Sequence, residues 1–359
     1  MWEMQAPEQV DNHDDMNEGG PKTAPAPFNK LNGPNIILRT SDLVDFRVRD
    51  GVLAESSLFF DDMFSLPPVP NGQQQQGGQN DQEYVDGIPV IVVSETGRTI
   101  DNVLRFCYPV AKPKMNADEI CEALAAARKY LMDQAELDIK EQFVAHAEFE
   151  PFKLYALAAR YGWKDEMKIA AKGCLSAPFP VGTWLPEMEF IGAGAYVRLQ
   201  VYHQACSNAA QKAVLQDPAT SEYLRSLTNL NSVWFKCVHP PSNLHSYSSI
   251  YLPRLNQIVL VHDWLLDYLK RLRSEVQVQP RGKTVLLSAS TALCIKQATR
   301  CCSTCAERVP SEIYSLCSDL ASAVESAVSA VSRDAVPILG LFSPFVFTVR
   351  SPLKSRNKQ

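Results

Sequence analysis

Residues 35 to 48 alternate between apolar and polar positions in the two-residue rhythm of β-strands. "NIILRT" is a β-branched run, "SD" follows as a turn, and Val44, Phe46 and Val48 then alternate with charged residues. A period of two places successive side chains on opposite faces of a strand. The pattern predicts a β-hairpin with one buried face.

The rhythm becomes helical directly after the hairpin. Leu53, Phe60, Met63 and Phe64 fall on one stripe of a helix, which predicts a single amphipathic helix over residues 52 to 64. The apolar run "IPVIVV", 88 to 93, predicts another strand.

Two helix starts follow that strand. Thr99 is a plausible N-cap for a helix that ends at the "YP" pair of residues 108 and 109. Asn116 with Glu119 resembles a capping box before the next helix. We expect the first domain to cover residues 34 to 148.

The second half lacks strand patterns. "PFKLYALAARYGW" and the residues after it indicate two helices joined at Tyr161 and Gly162, and further helices are predicted at about 186 to 216, 255 to 273 and 311 to 332. Segment 217 to 254 is weakly periodic and receives no assignment. We therefore expect an all-α region over 149 to 335.

Three segments have compositions that do not favour a packed core. Residues 1 to 33 are rich in Asp, Asn, Gly and Pro, and we expect them to be disordered. Residues 67 to 87 contain "NGQQQQGGQN", which is typical of a solvated loop. The apolar run in the tail, 336 to 359, is shorter than the roughly 20 residues of a membrane span, so we expect the tail to dock or stay loose.

The net charge and the N-terminal sequence limit the classes of partner that we expect. The formal net charge is −5, and no run of like charges forms a nucleic-acid arm. The acidic N-terminus has no basic or apolar signal region. These features predict an intracellular protein that acts without a nucleic-acid or membrane partner.

Cysteine and histidine residues offer the main candidate chemistry. The pairs Cys302/Cys305 and Cys237/His239 could together supply four zinc ligands. The pairs lie far apart in the chain, which favours cysteines packed inside a helical domain instead. A thiol–disulfide role needs a helix start at the first cysteine, whereas the preceding residues look helical. No cofactor is therefore assigned, and a zinc-stabilised helical module stays an alternative.

Catalytic motifs are not found. The sequence contains no G-x-S-x-G elbow, no G-x-x-x-x-G-K-[ST] and no G-x-G-x-x-G. We predict no enzymatic activity and no catalytic residue. An enzyme of unrecognised class remains the second alternative, motivated by the Cys and His residues of the second half.

Over residues 35 to 148 the order of motifs resembles a BTB/POZ domain. Its signature is matched by "VLAESSLFFDDMF", later by "LRFCYP", and then by "ICEALAAARKYLM". The residues that this resemblance assigns to the core are Phe46, Val52, Leu53, Phe60, Met63, Phe64, Leu104, Phe106, Tyr108 and Leu124. The segment "LYALAARYGWKDEMKIAAKGCL" is similar to the BACK-like helical region that follows the BTB domain in many fungal proteins.

The resemblance implies an α+β fold, a small mixed sheet flanked by helices, followed by the helical region. It implies a noncatalytic adaptor that binds a protein partner, forms a homodimer or docks to a cullin scaffold in a ubiquitin-ligase or transcription-related assembly. The chain departs from the family in having Asn35 where an Asp is common, and Arg49 and Asp50 where "H[KR]" is usual. "SLPPVP" replaces the hydrophobic-x-Glu motif used for cullins.

Overall fold

The computed structural model describes residues 20–66, 83–179, 182, 184, 186–215, 232–235, 246–252 and 256–334. The chain divides into two compact units, residues 1–142 and 143–359. Each unit is described by itself.

A five-stranded mixed sheet forms one layer of the first unit. Antiparallel pairing joins β2 to β3, with Ile36 opposite Val48, and β5 runs parallel to β2. The sheet order is β1-β3-β2-β5-β4. The strands are β1 Lys22–Thr23, β2 Ile36–Arg39, β3 Val44–Val48, β4 Tyr84–Val85 and β5 Ile88–Val92. The predicted hairpin and the predicted strand at 88 to 93 are therefore confirmed. The expectation of a single buried face is wrong for β2, whose four residues are all buried because it lies between β3 and β5.

Helices complete the α+β architecture of this unit. They are α1 Asp50–Ser56, α2 Leu58–Ser65, α3 Gly97–Cys107, α4 Ala117–Lys129 and α5 Asp133–His146. The capping box of α4 is present, with Asn116 and Glu119 exchanging side-chain and backbone bonds. The N-cap of α3 is Thr96, not Thr99, because the Thr96 side chain accepts the Thr99 N–H.

The predicted helix over 52 to 64 is two helices, interrupted at Ser57. Ser57 has extended backbone angles (φ −149°, ψ 115°), and its side chain accepts the Phe60 N–H as the N-cap of α2. The apolar stripe does not reveal this break, because both helices bury the same face. Periodicity predicted the helical content, and the local cap decided where the helix divides.

The predicted core residues fall into two groups. Five are almost fully buried: Phe46, Leu53, Phe60, Leu104 and Leu124. The other five are partly exposed: Val52, Met63, Phe64, Phe106 and Tyr108. The Phe60 ring stacks on Phe64 and on Tyr130, with centroids 5.9 and 5.2 Å apart.

Residues 20 to 33 differ from the expectation of disorder. β1 pairs in parallel with β3, and the Lys22 N–H donates to the Leu43 carbonyl. Phe28 is 1% exposed and meets the Tyr108 ring edge-on at 5.3 Å. One buried aromatic side chain offsets part of the entropy cost of ordering this short segment. Residues 1 to 19 lie outside the described residues.

Arg39 fastens β4 and β5 to the sheet. Its guanidinium donates twice to the Asp45 carboxylate, at 2.7 and 2.9 Å, and once to Glu83 at 2.5 Å. Arg47 similarly pairs with Asp86 in the β4–β5 turn. The guanidinium groups of Arg39 and Arg47 therefore fix the chain just before β4 and in the β4–β5 turn. Residues 67 to 82, most of the predicted polar loop, lie outside the described residues.

The second unit is mainly helical. Gly162 joins α6 to α7 in a left-handed conformation (φ 72°), as the sequence predicts. No helix in the described part of the chain is long and apolar enough to cross a membrane. The helices are α6 Pro151–Tyr161, α7 Lys164–Gly173, α8 Ala193–Leu215, α9 Asp263–Val278, α10 Gly282–Leu286, α11 Ser290–Thr299 and α12 Ser303–Asp334, with 3₁₀ turns at Cys174–Ser176 and Pro186–Phe190.

A β-hairpin corrects the expectation of an all-α second region. Strands β6 Tyr247–Leu252 and β7 Gln257–His262 pair antiparallel. The turn contains Asn256 at φ 49°, which Asn tolerates well. The predicted helix at 255 to 273 therefore starts only at Asp263, and the residues before it form β7.

Gly173 lets the end of α7 approach the turn between α5 and α6. A Cβ on Gly173 would lie 2.2 Å from the Ala147 carbonyl oxygen and 2.9 Å from the Pro151 Cβ. The neighbours are backbone and a proline ring, which cannot move aside cheaply. Only a residue without a side chain fits there.

We expect Phe60→Asp to abolish the cooperative unfolding transition of the first unit, because it places a carboxylate in a site that is 1% exposed. Circular dichroism and urea titration measure this. Leu31→Asp is the matched control, since Leu31 is 72% exposed. A Phe60→Asp protein with the melting curve of the Leu31→Asp protein would contradict the fold.

Gly173→Ala should lower the free energy of unfolding by about 1 to 3 kcal/mol, the usual cost of forcing atoms into a packed site. Denaturant titration of the full chain measures it. Gly192→Ala is the control, because a Cβ at Gly192 meets nothing within 4 Å. Equal stability of the two variants would refute the close approach.

Candidate functional site

A groove lined by both apolar and polar side chains lies on the first unit between the α1–α2 junction, the end of α3 and the start of α5. Its volume is about 410 Å³. Leu58, Leu131 and Leu137 line it and are 59%, 48% and 58% exposed. Phe106 and Cys107 line it from the end of α3. Large aliphatic side chains that stay exposed around one cavity are typical of a binding surface.

Ser57 builds one wall of the groove. Its hydroxyl donates to the Tyr130 carbonyl at 2.5 Å and accepts the Phe60 N–H. The next residue, Leu58, donates its N–H to the Leu131 carbonyl at 3.3 Å. Because two consecutive residues bond to two consecutive residues, the α1–α2 break is fixed against the α4–α5 junction.

Leu131 has a backbone conformation that leucine rarely adopts. Its φ is 51°. The end of α4 is closed by bonds from the Met132 N–H to the Ala127 carbonyl and from the Leu131 N–H to the Arg128 carbonyl, at 2.9 and 3.3 Å. This is the Schellman pattern, in which the left-handed position usually holds glycine.

The chain itself provides the comparison. α6 ends with the same two bonds, from Trp163 to Ala158 and from Gly162 to Ala159, and its left-handed residue is Gly162. A side chain in the left-handed region costs roughly 1 to 2 kcal/mol. At Leu131 this strained position carries a large side chain that is half exposed. Packing inside the unit therefore does not by itself account for a leucine at this position.

Tyr130 stabilises the strained junction through contacts of its hydroxyl and its ring. Its hydroxyl donates to Glu95 Oε2 at 2.5 Å, and Lys129 Nζ bonds the other carboxylate oxygen at 2.7 Å. The Tyr130 ring packs on Phe59 and Phe60. Burial acts to raise the pKa of Glu95, but the bonds from Lys129 and Tyr130 outweigh it and hold that pKa below the ordinary value of 4.5.

Acidic groups surround the groove. Its two charged lining residues are Glu55 and Asp133, both exposed. Lys140 is the only Lys or Arg on α1, α2 and α5, and it pairs with Glu136. The acidic residues of these three helices are Asp50, Glu55, Asp61, Asp62, Asp133, Glu136, Asp138 and Glu141. Acidic residues therefore outnumber basic ones on these three helices, while Lys112 and Arg128 from outside them pair with Asp138 and Glu136.

Cys107 contributes a thiol to the groove. It is half-buried, and its Sγ lies 3.7 Å from the Val103 carbonyl oxygen. Burial raises the pKa of this thiol above its ordinary value. Since the thiolate is the nucleophile, Cys107 is a poor one at neutral pH, and the groove offers binding surface at this point.

The predicted zinc ligands are only partly described. Cys302 precedes α12 and accepts the Cys305 N–H at 3.4 Å, while Cys305 is fully buried. The residues expected to be helical before Cys302 form α11 as far as Thr299, and α12 starts directly after Cys302, at Ser303. Cys237 and His239 lie outside the described residues. Among the residues that the structure describes, no group of three or more His, Cys, Asp or Glu side chains could hold a metal.

A second cavity, about 780 Å³, lies in the second unit. Arg281 and Glu148 line it and pair with each other at 3.2 Å. Glu275 accepts a bond from Ser290 at 2.6 Å. Glu148, Glu275 and Arg281 are thus engaged in bonds within the unit, and Lys283 is a fourth charged lining residue.

The sequence predicts the helices that form the groove but not most of the side chains that line it. Phe106 was assigned to the core and lines the groove, whereas Leu58 and Leu137 were not singled out. Leu131 continues the apolar stripe of Ile120, Leu124 and Ala127 and was therefore placed in the helix. In the structure α4 ends at Lys129, and Leu131 has the left-handed conformation that favours glycine.

Comparison with known proteins gives no assignment: no protein family model matches the chain, and no curated protein matches it.

Acid should weaken the first unit through Glu95. A carboxylate whose folded pKa is depressed contributes stability that is complete above its unfolded pKa, near 4.5, and is lost as the pH falls through the folded value. We expect Glu95→Gln to cost about 1 kcal/mol at pH 7 and to show a smaller decline than wild type on acidification. Urea titrations across this range measure both, and parallel curves would contradict the assignment.

Proposed function

We propose that the chain is a noncatalytic, intracellular adaptor that binds a protein partner through the groove of its first unit. The observation that carries the proposal is Leu131: a large apolar side chain that is exposed at a strained, left-handed position and lines the groove. Strain of this kind is held in place by the surrounding structure, and it clusters at binding and active sites.

The groove has the anatomy of a protein-binding surface. Its lining combines large apolar side chains with two charged ones, Glu55 and Asp133, and protein interfaces likewise combine a desolvated core with a polar rim. A few large anchors carry most of the energy of such interfaces. A pocket of about 410 Å³ is suited to receiving one or two side chains of a partner segment.

The BTB/POZ resemblance supports the same reading. A hairpin, a broken helical pair, a further strand and three helices follow one another in the order that the resemblance implies. We propose on this basis a BTB-type adaptor in a ubiquitin-ligase or transcription-related assembly, with a homodimer or a cullin scaffold as the partners that the family offers. The Asn35 side chain accepts the Asp50 N–H, so these two departures from the family form a helix cap.

The test is a pair of leucine-to-glycine substitutions. Leu131→Gly should leave the melting temperature equal to or above that of wild type, because glycine relieves the left-handed strain. The same substitution should remove most of the proteins that co-purify with the tagged full chain, as quantified by mass spectrometry.

Leu43→Gly is the matched control. Leu43 also has a positive φ, 58°, and is 46% exposed in the same unit, but it does not line the groove. It should retain the full set of co-purifying proteins. Loss of the same proteins from both variants, or from neither, would contradict the proposal.

A further inference from the structure

We propose that Cys302 and Cys305 form a thiol–disulfide exchange site that reacts with small-molecule disulfides such as oxidised glutathione. The site lies at the start of α12 in the second unit, and it is separate from the groove and goes beyond the adaptor function. The two cysteines differ in access, because Cys302 is partly exposed whereas Cys305 is fully buried. An accessible thiol next to a buried one is the arrangement that such an exchange requires.

Cys302 is the thiol that an outside reagent reaches. It directly precedes α12, a helix of 32 residues. Its Sγ accepts the Cys305 N–H at 3.4 Å, in the way that the oxygen of a serine N-cap accepts the N–H three residues later. A bond from an N–H group at the start of a helix favours the thiolate form of a cysteine, and the thiolate is the form that attacks disulfides.

The adjacent Cys301 has a different environment, although it is also partly exposed. Its Sγ donates to the Gln297 carbonyl at 3.4 Å, a bond that only the protonated thiol can make. Burial, together with the nearby Cys302, raises the pKa of the Cys301 thiol above its ordinary value. Cys301 is therefore a poor nucleophile at neutral pH, and it provides a matched control for Cys302.

Cys305 is close enough to Cys302 to form a disulfide with it. Residues three apart on a helix have Cβ atoms about 5 to 6 Å apart, whereas the Cβ atoms of a disulfide lie about 3.5 to 4.5 Å apart. A shift of about 1 to 2 Å at the start of the helix therefore joins the two sulfurs.

The first turns of α12 are weakly joined to the rest of the helix. Pro310 lies inside α12 and has no N–H, so the helical bond from residue 310 to the Ala306 carbonyl cannot form. The start of the helix can then move with the loss of fewer bonds than in an ordinary helix. A disulfide that requires such a shift is strained, and a dithiol reductant should reopen it.

The exchange has two steps. The Cys302 thiolate attacks one sulfur of the small-molecule disulfide, forms a mixed disulfide and releases the other half as a thiolate. The Cys305 sulfur then attacks the Cys302 sulfur, which forms the internal disulfide and releases the second half. The two cysteines together lose two electrons and two protons, and the small-molecule disulfide becomes two thiols. One molecule of disulfide is consumed for each chain, so the reaction modifies the protein and is not a catalytic cycle.

The test treats the full chain with oxidised glutathione at pH 7, with a zinc chelator present, and then alkylates the remaining thiols. Trypsin cleavage after Arg300 and Arg308 yields one peptide, "CCSTCAER", that contains Cys301, Cys302 and Cys305. We expect mass spectrometry to find this peptide with an internal disulfide and one alkyl group, on Cys301. Treatment with dithiothreitol before alkylation should restore three alkylated cysteines.

Three variants identify the sulfurs that react. Cys302→Ser should fold as wild type, because serine is a preferred N-cap residue, and it should take up glutathione on this peptide about tenfold more slowly or less. Cys305→Ala should stop at the mixed disulfide, with glutathione on Cys302. Cys301→Ser should form the internal disulfide as wild type does.

Two results would overturn the proposal. One is a wild-type peptide that keeps three alkylated cysteines or forms its disulfide through Cys301. The other is an equal loss of the disulfide in Cys301→Ser and Cys302→Ser. Neither result depends on the groove, so the adaptor function is tested separately by Leu131→Gly.

Discussion

The first unit depends on the pair of bonds that Ser57 makes. Its hydroxyl caps α2 through the Phe60 N–H and fastens that cap to the Tyr130 carbonyl. The residue is 2% exposed, so both bonds are shielded from water and no solvent competes for them. The position of α2, the burial of Phe60 and the orientation of the groove wall follow from this one contact.

Tyr130 extends the constraint from the backbone to the sheet side of the unit. Its carbonyl receives Ser57, its ring supports Phe60, and its hydroxyl reaches Glu95 in the segment before α3. Leu131 directly follows Tyr130, so the same contacts fix its backbone conformation. The strained leucine is thus held by neighbours that are themselves well bonded, which is how local strain persists in a stable protein.

Much of the first unit could be predicted because its signals are local. The capping box at Asn116 and Glu119, the alternation around Phe46 and the glycine at 162 each act over a few residues, and the structure follows them. The break at Ser57 could not be predicted in this way, since its hydroxyl is committed by Tyr130, which lies 73 residues away in the chain. The same holds for Phe28, whose polar and proline-rich surroundings give no periodic pattern.

The residues that line the groove could not be predicted from the sequence, for a different reason. An exposed leucine such as Leu137 lies on the outer side of a helix, where periodicity alone gives it no role. Its meaning comes from Leu58 and Leu131 beside it, and these meet only after α1, α2, α4 and α5 have packed. The β6–β7 hairpin was missed because "QIVLVH", 257 to 262, was assigned to the start of a helix, although a short apolar run with β-branched residues fits a strand as well.

The ion pairs of Arg39 and Arg47 have a consequence for variation in the length of the chain between Ser65 and Glu83. Glu83 and Asp86 are fixed to the sheet by Arg39 and Arg47, directly after the glutamine-rich tract that follows Ser65. Because these ion pairs hold the chain on both sides of β4, we expect the positions of β4 and β5 in the sheet not to depend on the number of residues between Ser65 and Glu83.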